Sequence, residues 1–219
     1  DLALNYRASR AGCDALVEQA NAHGQRAFLA QADLTDATAT ETMVEQVIAE
    51  FGRIDILVNN AGVMNVQPFV ETTEASWQDE LQVNIVAPLR LTRAVVPHMI
   101  AERSGKIINL SSQLALIGWD KAAVYAGSKG FILTWTKSLA RELGQYNINV
   151  NAIGPGSIIT DMNRSLYASP EAAERRAQEL PLRRFGTPRD VGQCALFLAS
   201  DAGNYLTGQM LGPNGGNVM

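Results

Sequence analysis

Short, nearly unbroken apolar runs alternating with helical stretches of ten or more residues most limit what this chain can become. Leu2-Ala3-Leu4-Asn5-Tyr6, Ala27-Phe28-Leu29-Ala30, Ile54-Asp55-Ile56-Leu57-Val58, Ile107-Ile108-Asn109-Leu110 and Asn149-Val150-Asn151-Ala152-Ile153 read as strands, and Tyr205–Leu211 as a last one. Helical periodicity runs over 9–23, 38–51, 76–101, 122–143 and 191–199. Gly24, Gly52 and Gly105 act as stops, and Pro188 stands at a helix start. A strand wet on one face alternates polar and apolar residues; these do not. Both faces are therefore covered, as in a parallel sheet whose crossovers are helices. The predicted fold class is α/β, a doubly wound and mostly parallel sheet in three layers. No linker or repeat divides residues 1–219, so one domain is expected. The stretch from Ser157 to Pro181 lacks strand signals and is rich in Ala, Glu and Arg. It reads as a helical lid, with 157–185 as its span.

Composition narrows the partners. Of 219 residues 47% are hydrophobic and only 18% charged, which suits a substantial core. The net charge of −4 and the lack of a basic stripe argue against nucleic acid. No apolar run reaches membrane-spanning length. Cys13 and Cys194 lie far apart, and His23 and His98 have no Cys or His neighbours, so neither a disulfide framework nor a metal site is expected. Reduced thiols point to the cytoplasm.

The chemistry-bearing pattern is Tyr125 and Lys129, four residues apart within a helical run. That spacing puts both on one helix face. An ammonium beside a phenol favours the phenolate and is expected to lower the tyrosine pKa toward the range of a general acid/base. Ser112 follows the Ile107–Leu110 strand, where its hydroxyl can bind a substrate oxygen.

With these residues in place, the sequence resembles the short-chain dehydrogenase/reductase family, whose fold is Rossmann-like. Asn59-Asn60-Ala61-Gly62 is similar to its NNAG motif, and Asn84 to its helix-borne asparagine. Ser112, Tyr125 and Lys129 are similar to its catalytic set, and Ser112 rather than Ser111 fits the spacing. Asn151-Ala152-Ile153-Gly154-Pro155-Gly156 with Thr160 resembles its nicotinamide-lining segment, and Tyr205-Leu206-Thr207-Gly208 its last strand. The resemblance spans the chain in order. It implies hydride transfer between a nicotinamide cofactor and a ketone or secondary alcohol. Tyr125 would move the proton, Ser112 would hold the reacting oxygen, Lys129 would bind the ribose, and Asn84 would hold a water that links Lys129 to solvent. It further implies cofactor contacts at Asn60, Ala61, Gly62, Pro155, Gly156, Ile158 and Thr160. Asp33 with Leu34 would meet the adenine, although Asp33 is equally a turn-capping type.

Two features refine the expectation. No acid stands at the end of the first strand, where one would select NAD by bonding the ribose 2′-hydroxyl. Arg7 stands there and suits a 2′-phosphate, so NADP(H) is favoured over NAD(H). No Gly-rich βα turn occurs, and the sequence opens at the counterpart of the family's second strand. A βα unit upstream of these residues is expected, with a truncation that has lost cofactor binding as the alternative. Either way, a sheet edge should be exposed. The substrate reads as a 3-oxoacyl thioester or, alternatively, an aldose oxidised at its first carbon, Asn163 being similar to the sugar enzymes. A non-catalytic dinucleotide-fold protein is the third possibility. Apolar residues in the helices carrying Leu89–Ile100 and Tyr125–Leu143 exceed one sheet-facing stripe, and the family pairs these helices between subunits, implying a homodimer or homotetramer.

Overall fold

A computed structural model describes residues 1–219. Six strands run in parallel: β1 (Leu2–Tyr6), β2 (Ala27–Gln31), β3 (Ile56–Asn59), β4 (Gly105–Leu110), β5 (Ile148–Ile153) and β6 (Met210–Leu211). The helices are α1 (Ala11–Ala22), α2 (Ala37–Phe51), α3 (Glu74–Leu81), α4 (Ala87–Glu102), α5 (Leu114–Ile117), α6 (Ala123–Leu143), α7 (Pro170–Glu179) and α8 (Pro188–Ala199). Local chemistry fixes several ends. Asp36 caps α2 through Ala39 N–H, Gly52 ends it in the left-handed region at φ 80°, and Thr187 and Asp190 form a capping box on α8.

The α/β class holds, but the strands form two ladders. β1 and β2 pair with each other, and β3-β4-β5-β6 form the second ladder. β3 has a partner strand on one side only, the open edge expected from the sequence, and its Ile56 and Val58 stay 42% and 44% exposed on one face. What joins the ladders is helix packing. Ala30 of β2, Ala32 just after it, Met43, Val44 and Val47 of α2, Leu91, Val95 and Met99 of α4, and Ile107 and Val150 share one core. Arg90 also donates to Thr35 O. On the opposite face Ile108 and Ile153 pack against Leu198 of α8. Neighbours Ile107 and Ile108 thus face different helix layers, which is why their strand reads as a continuous apolar run.

Two expected elements change. The single helix over 76–101 is broken by a π turn, Gln82–Val86, between α3 and α4. This wider turn carries Asn84 inward, where it is 1% exposed. The last strand shrinks to Met210–Leu211, because side chains replace ladder bonds before it. Asn149 and Asn151 Nδ2 donate to Leu206 O, at 3.0 and 2.7 Å, and Val150 N–H donates to Thr207 Oγ1 at 3.1 Å. Tyr205 itself is fully exposed.

Candidate active site

Strands β1 to β5 deliver the candidate residues at their C-terminal ends, where ligands of doubly wound sheets bind. Arg7 follows β1, Asp33 and Leu34 follow β2, Asn60–Gly62 follow β3, Ser112 follows β4, and Pro155–Thr160 follow β5. Tyr125 and Lys129 enter from the first turns of α6 and are 9% and 4% exposed. Lys129 Nζ lies 5.6 Å from the Tyr125 ring centre and donates to Leu110 O at 2.8 Å. Ser111 is spent on structure, its hydroxyl donating to Lys129 O at 2.8 Å. Ser112 Oγ accepts from Leu114 N–H at 3.1 Å and also reaches the Tyr125 hydroxyl.

The expected depression of the tyrosine pKa is corrected. Burial raises Tyr125 above its ordinary value, since a phenolate there would lose hydration. The Ser112 hydroxyl pulls it down and the Glu80 carboxylate pushes it up. Lys129 aims its charge at Leu110 O, and burial lowers its own pKa to about 8. At neutral pH the pair is a phenol beside an ammonium.

Asn84 joins the group by tying it together. Its Oδ1 accepts from Val63 N–H at 2.9 Å, and its Nδ2 donates to Val63 O and to Ser128 Oγ at 2.9 and 3.1 Å. Both amide hydrogens are used, so the side chain clamps the Gly62–Val63 turn onto α6. Gly62 is needed there: a Cβ would lie 3.3 Å from both Asn84 Oδ1 and Lys129 Nζ. Beneath the turn, Asn59 Nδ2 donates to Thr92 Oγ1 and Asn109 Oδ1, and Asn109 Nδ2 to Thr136 Oγ1, a buried chain that locks β3, β4, α4 and α6.

The donor set suits a ribose. Lys129 has three N–H donors and one accounted partner, so two remain for hydroxyl groups. At the other end Asp33 Oδ1 accepts from Thr35 N–H and Oγ1 at 2.9 and 2.7 Å, closing its own turn, while its second oxygen has no such duty. Those Thr35 bonds lower the Asp33 pKa, and exposed Arg7 lies close enough to add to the effect. Leu34 packs its side chain on the core, which leaves only its backbone for a ligand. Around β5, Pro155 O accepts from Gln113 N–H and Gly156 N–H donates to Pro213 O. Ile158 is buried and bridges to Gly186. Thr160 N–H donates to Asn163 Oδ1 at 2.9 Å, and Asn163 Nδ2 donates to Ile158 O at 2.8 Å. Asn163 therefore holds a turn, and its side chain is not offered to a sugar.

Sequence reasoning missed two groups. Arg176 of α7 donates to Ser157 Oγ and Asn217 Oδ1, and Asn217 in turn donates to Gln113 Oε1 at 3.1 Å, next to Ser112. No spacing in the sequence marks contacts this distant. Glu80 is 1% exposed beneath the site; its signal was an acid four residues before Asn84.

The enzyme family model adh_short_C2, described as enoyl-(acyl carrier protein) reductase, matches residues 1–217. A 3-oxoacyl-[acyl-carrier-protein] reductase FabG of Staphylococcus aureus is 38% identical over the whole chain and 88% of the relative. The chain belongs to the short-chain dehydrogenase/reductase family. It is an NAD(P)-dependent oxidoreductase of that family. A 2-dehydro-3-deoxy-D-gluconate 5-dehydrogenase of Dickeya dadantii is 34% identical over 95% of this chain and 87% of the relative. A crystal structure of a gluconate 5-dehydrogenase from Burkholderia cenocepacia, in complex with NADP and tartrate, superposes with a TM-score of 0.91 at 30% identity, covering 98% of this chain and 84% of that one. A blue fluorescent protein from a metagenomic library, in complex with NADPH, gives 0.90 at 34%, covering 100% and 88%. No helix is long and apolar enough to cross a membrane.

Proposed function

We propose that this short-chain dehydrogenase/reductase transfers hydride between NADP(H) and a 3-oxoacyl thioester. The observation that carries the reading is the buried meeting of Ser112, Tyr125 and Lys129 at the C-terminal end of β4. Tyr125, protonated at neutral pH, is the acid that a carbonyl oxygen needs as it gains negative charge. Ser112 steadies that oxygen. The nicotinamide, when bound, supplies or takes the hydride. Lys129 holds the ribose with its spare donors, and Asn84 keeps Gly62 and Lys129 in register. Asn60, Ala61, Gly62, Pro155, Gly156, Ile158 and Thr160 border the nicotinamide end. Asp33 and the Leu34 backbone serve the adenine, and Arg7 the 2′-phosphate. NADP(H) over NAD(H) is supported by that arginine and by the NADP and NADPH bound in two structural relatives.

An apolar rim supports the acyl substrate. The segment after Ser112 exposes Leu116, Ile117 and Trp119, and the 157–185 segment, read as the lid, exposes Met162. Hydrocarbon lining suits an acyl chain better than a polyol. Arg103 and Lys106 offer no basic dock for an acidic carrier, because they precede β4 or start it, at the end of the sheet away from Ser112. A second reading, a sugar or sugar-acid dehydrogenase, is favoured by the gluconate dehydrogenase relatives. Pairing of α4 and α6 between subunits belongs to the same proposal, with half-buried Phe131 and Trp135 stacked at 6.2 Å along α6. So does a cytoplasmic site for the free thiols of Cys13 and Cys194.

The test is a turnover screen: acetoacetyl-coenzyme A with NADPH against gluconate and aldoses with NADP⁺. Activity on the thioester alone is expected. Activity on the sugars alone moves the substrate to the second reading, and activity on neither overturns both.

A further inference from the structure

We propose that Glu80 is a positioning residue of the proton-transfer site: a carboxylate buried in the last turn of α3, four residues before Asn84 and in a cavity shared with the start of α6, whose charge acts on Lys129 and Tyr125. The proposal rests on the acid/base reading of Tyr125 and Lys129 given above. Glu80 stands in the last turn of α3, four residues before Asn84 and therefore on the same flank of the α3–π-turn stretch. It is 1% exposed, and its Oε1 has no hydrogen-bond partner. An acid is an expensive choice for such a place, since a buried polar atom without a partner costs more than an apolar side chain of the same shape. Packing alone does not explain it.

Its surroundings are specific. The backbone and side chain of Asn65 lie against the carboxyl. A cavity of about 10 Å³, room for one water-sized sphere, joins Glu80 to Asn65, Gln67, Trp77, Lys121 and Val124 at the foot of α6. The ionisable groups on that side are Lys129 and Tyr125 of α6 and Lys121 in the segment before it. Charge runs both ways across the gap. The Lys129 ammonium offsets part of the burial cost that raises Glu80, and the Glu80 carboxylate raises the pKa of Lys129 and of Tyr125. Glu80 is the one charged group acting to keep the lysine cationic against its burial. Without it the ammonium loses its proton at lower pH, and the phenol gives up its own more easily.

The test reads protonation directly, without substrate or cofactor. The full chain labelled with 13Cε-lysine is titrated by nuclear magnetic resonance, with the Lys129 signal assigned by its loss in Lys129→Met. The wild type should titrate near 8. In Glu80→Gln the midpoint should fall by about half a unit or more, and in Glu80→Asp, which keeps the charge, by less. Glu80→Met is made alongside and should shift like the amide. With acetoacetyl-coenzyme A and NADPH, the upper limb of kcat/KM in Glu80→Gln should move down by the same amount. A Lys129 midpoint unmoved in both charge-removing variants overturns the proposal. So does loss of folding in all three Glu80 variants, Asp included, because that marks a packing role. A Tyr125→Phe variant with full turnover would instead sink the acid/base reading while leaving the lysine titration intact.

Discussion

The two ladders of this molecule are built to different standards. β5 buries five of its six residues, and its neighbour β4 places Ile107 and Ile108 in separate cores. β1 has no buried residue, and β2 has one, Ala30. Ser112, Tyr125, Lys129 and Asn84 rest on the β3–β6 ladder, where the Asn59–Asn109–Thr136 chain and the Asn84 clamp leave little freedom. Arg7 and Asp33 sit on the β1–β2 ladder, which is held through α2 and α4. Proton transfer needs atoms fixed to a fraction of an ångström, and the residues proposed for it are the ones on the deep sheet. The role proposed for Arg7 and Asp33, holding the far end of a cofactor, tolerates more play.

The contrast can be broken by truncation. Ile107→Ala should cost about 2–5 kcal/mol of stability, because the cavity opens in a core packed from α4 and α6. Leu4→Ala in half-buried, edge-forming β1 should cost less than about 1.5 kcal/mol. Urea unfolding of both variants gives the two values; equal losses would erase the distinction.

How far the sequence revealed this contrast depends on where side chains, rather than backbone, decide the structure. The runs at 107–110 and 149–153 were legible as strands because both faces are apolar. The shortening of the last strand was not, since Asn149, Asn151 and Thr207 take over its pairing with side chains. The π turn escaped notice because one widened turn leaves the helical pattern of 76–101 nearly intact. Ser112, Tyr125 and Lys129 were found from spacing and do meet. Their ionisation is not legible there, because spacing carries no account of burial. Tyr125 rises where an exposed pair would have fallen.

Three further measurements sharpen the comparison at the site. Gly62→Ala should lower kcat about tenfold with little change in stability, since the added Cβ presses on Asn84 Oδ1 and Lys129 Nζ at once. The pH dependence of kcat/KM should be level just below pH 8 and fall up to tenfold per unit above it. Lys129 is depressed to about 8, so it is cationic below that pH and neutral above, and this ratio reports the free enzyme. A limb near 10 would mean the burial of Lys129 has no effect on catalysis. Arg7→Ala, on the shallow ladder, should raise the KM for NADPH by about three- to tenfold while leaving the value for NADH and kcat unchanged. A fall in kcat there would couple the two ladders more tightly than their packing implies.

The central claim is that the Tyr125 hydroxyl delivers the proton. Replacing Tyr125 with Phe removes one oxygen from a buried ring and keeps the ring's packing. NADPH oxidation with acetoacetyl-coenzyme A should drop by about 10²–10⁴-fold while the thermal unfolding midpoint stays within a few degrees of the wild type. A folded Tyr125→Phe protein that turns over at the wild-type rate would contradict the account.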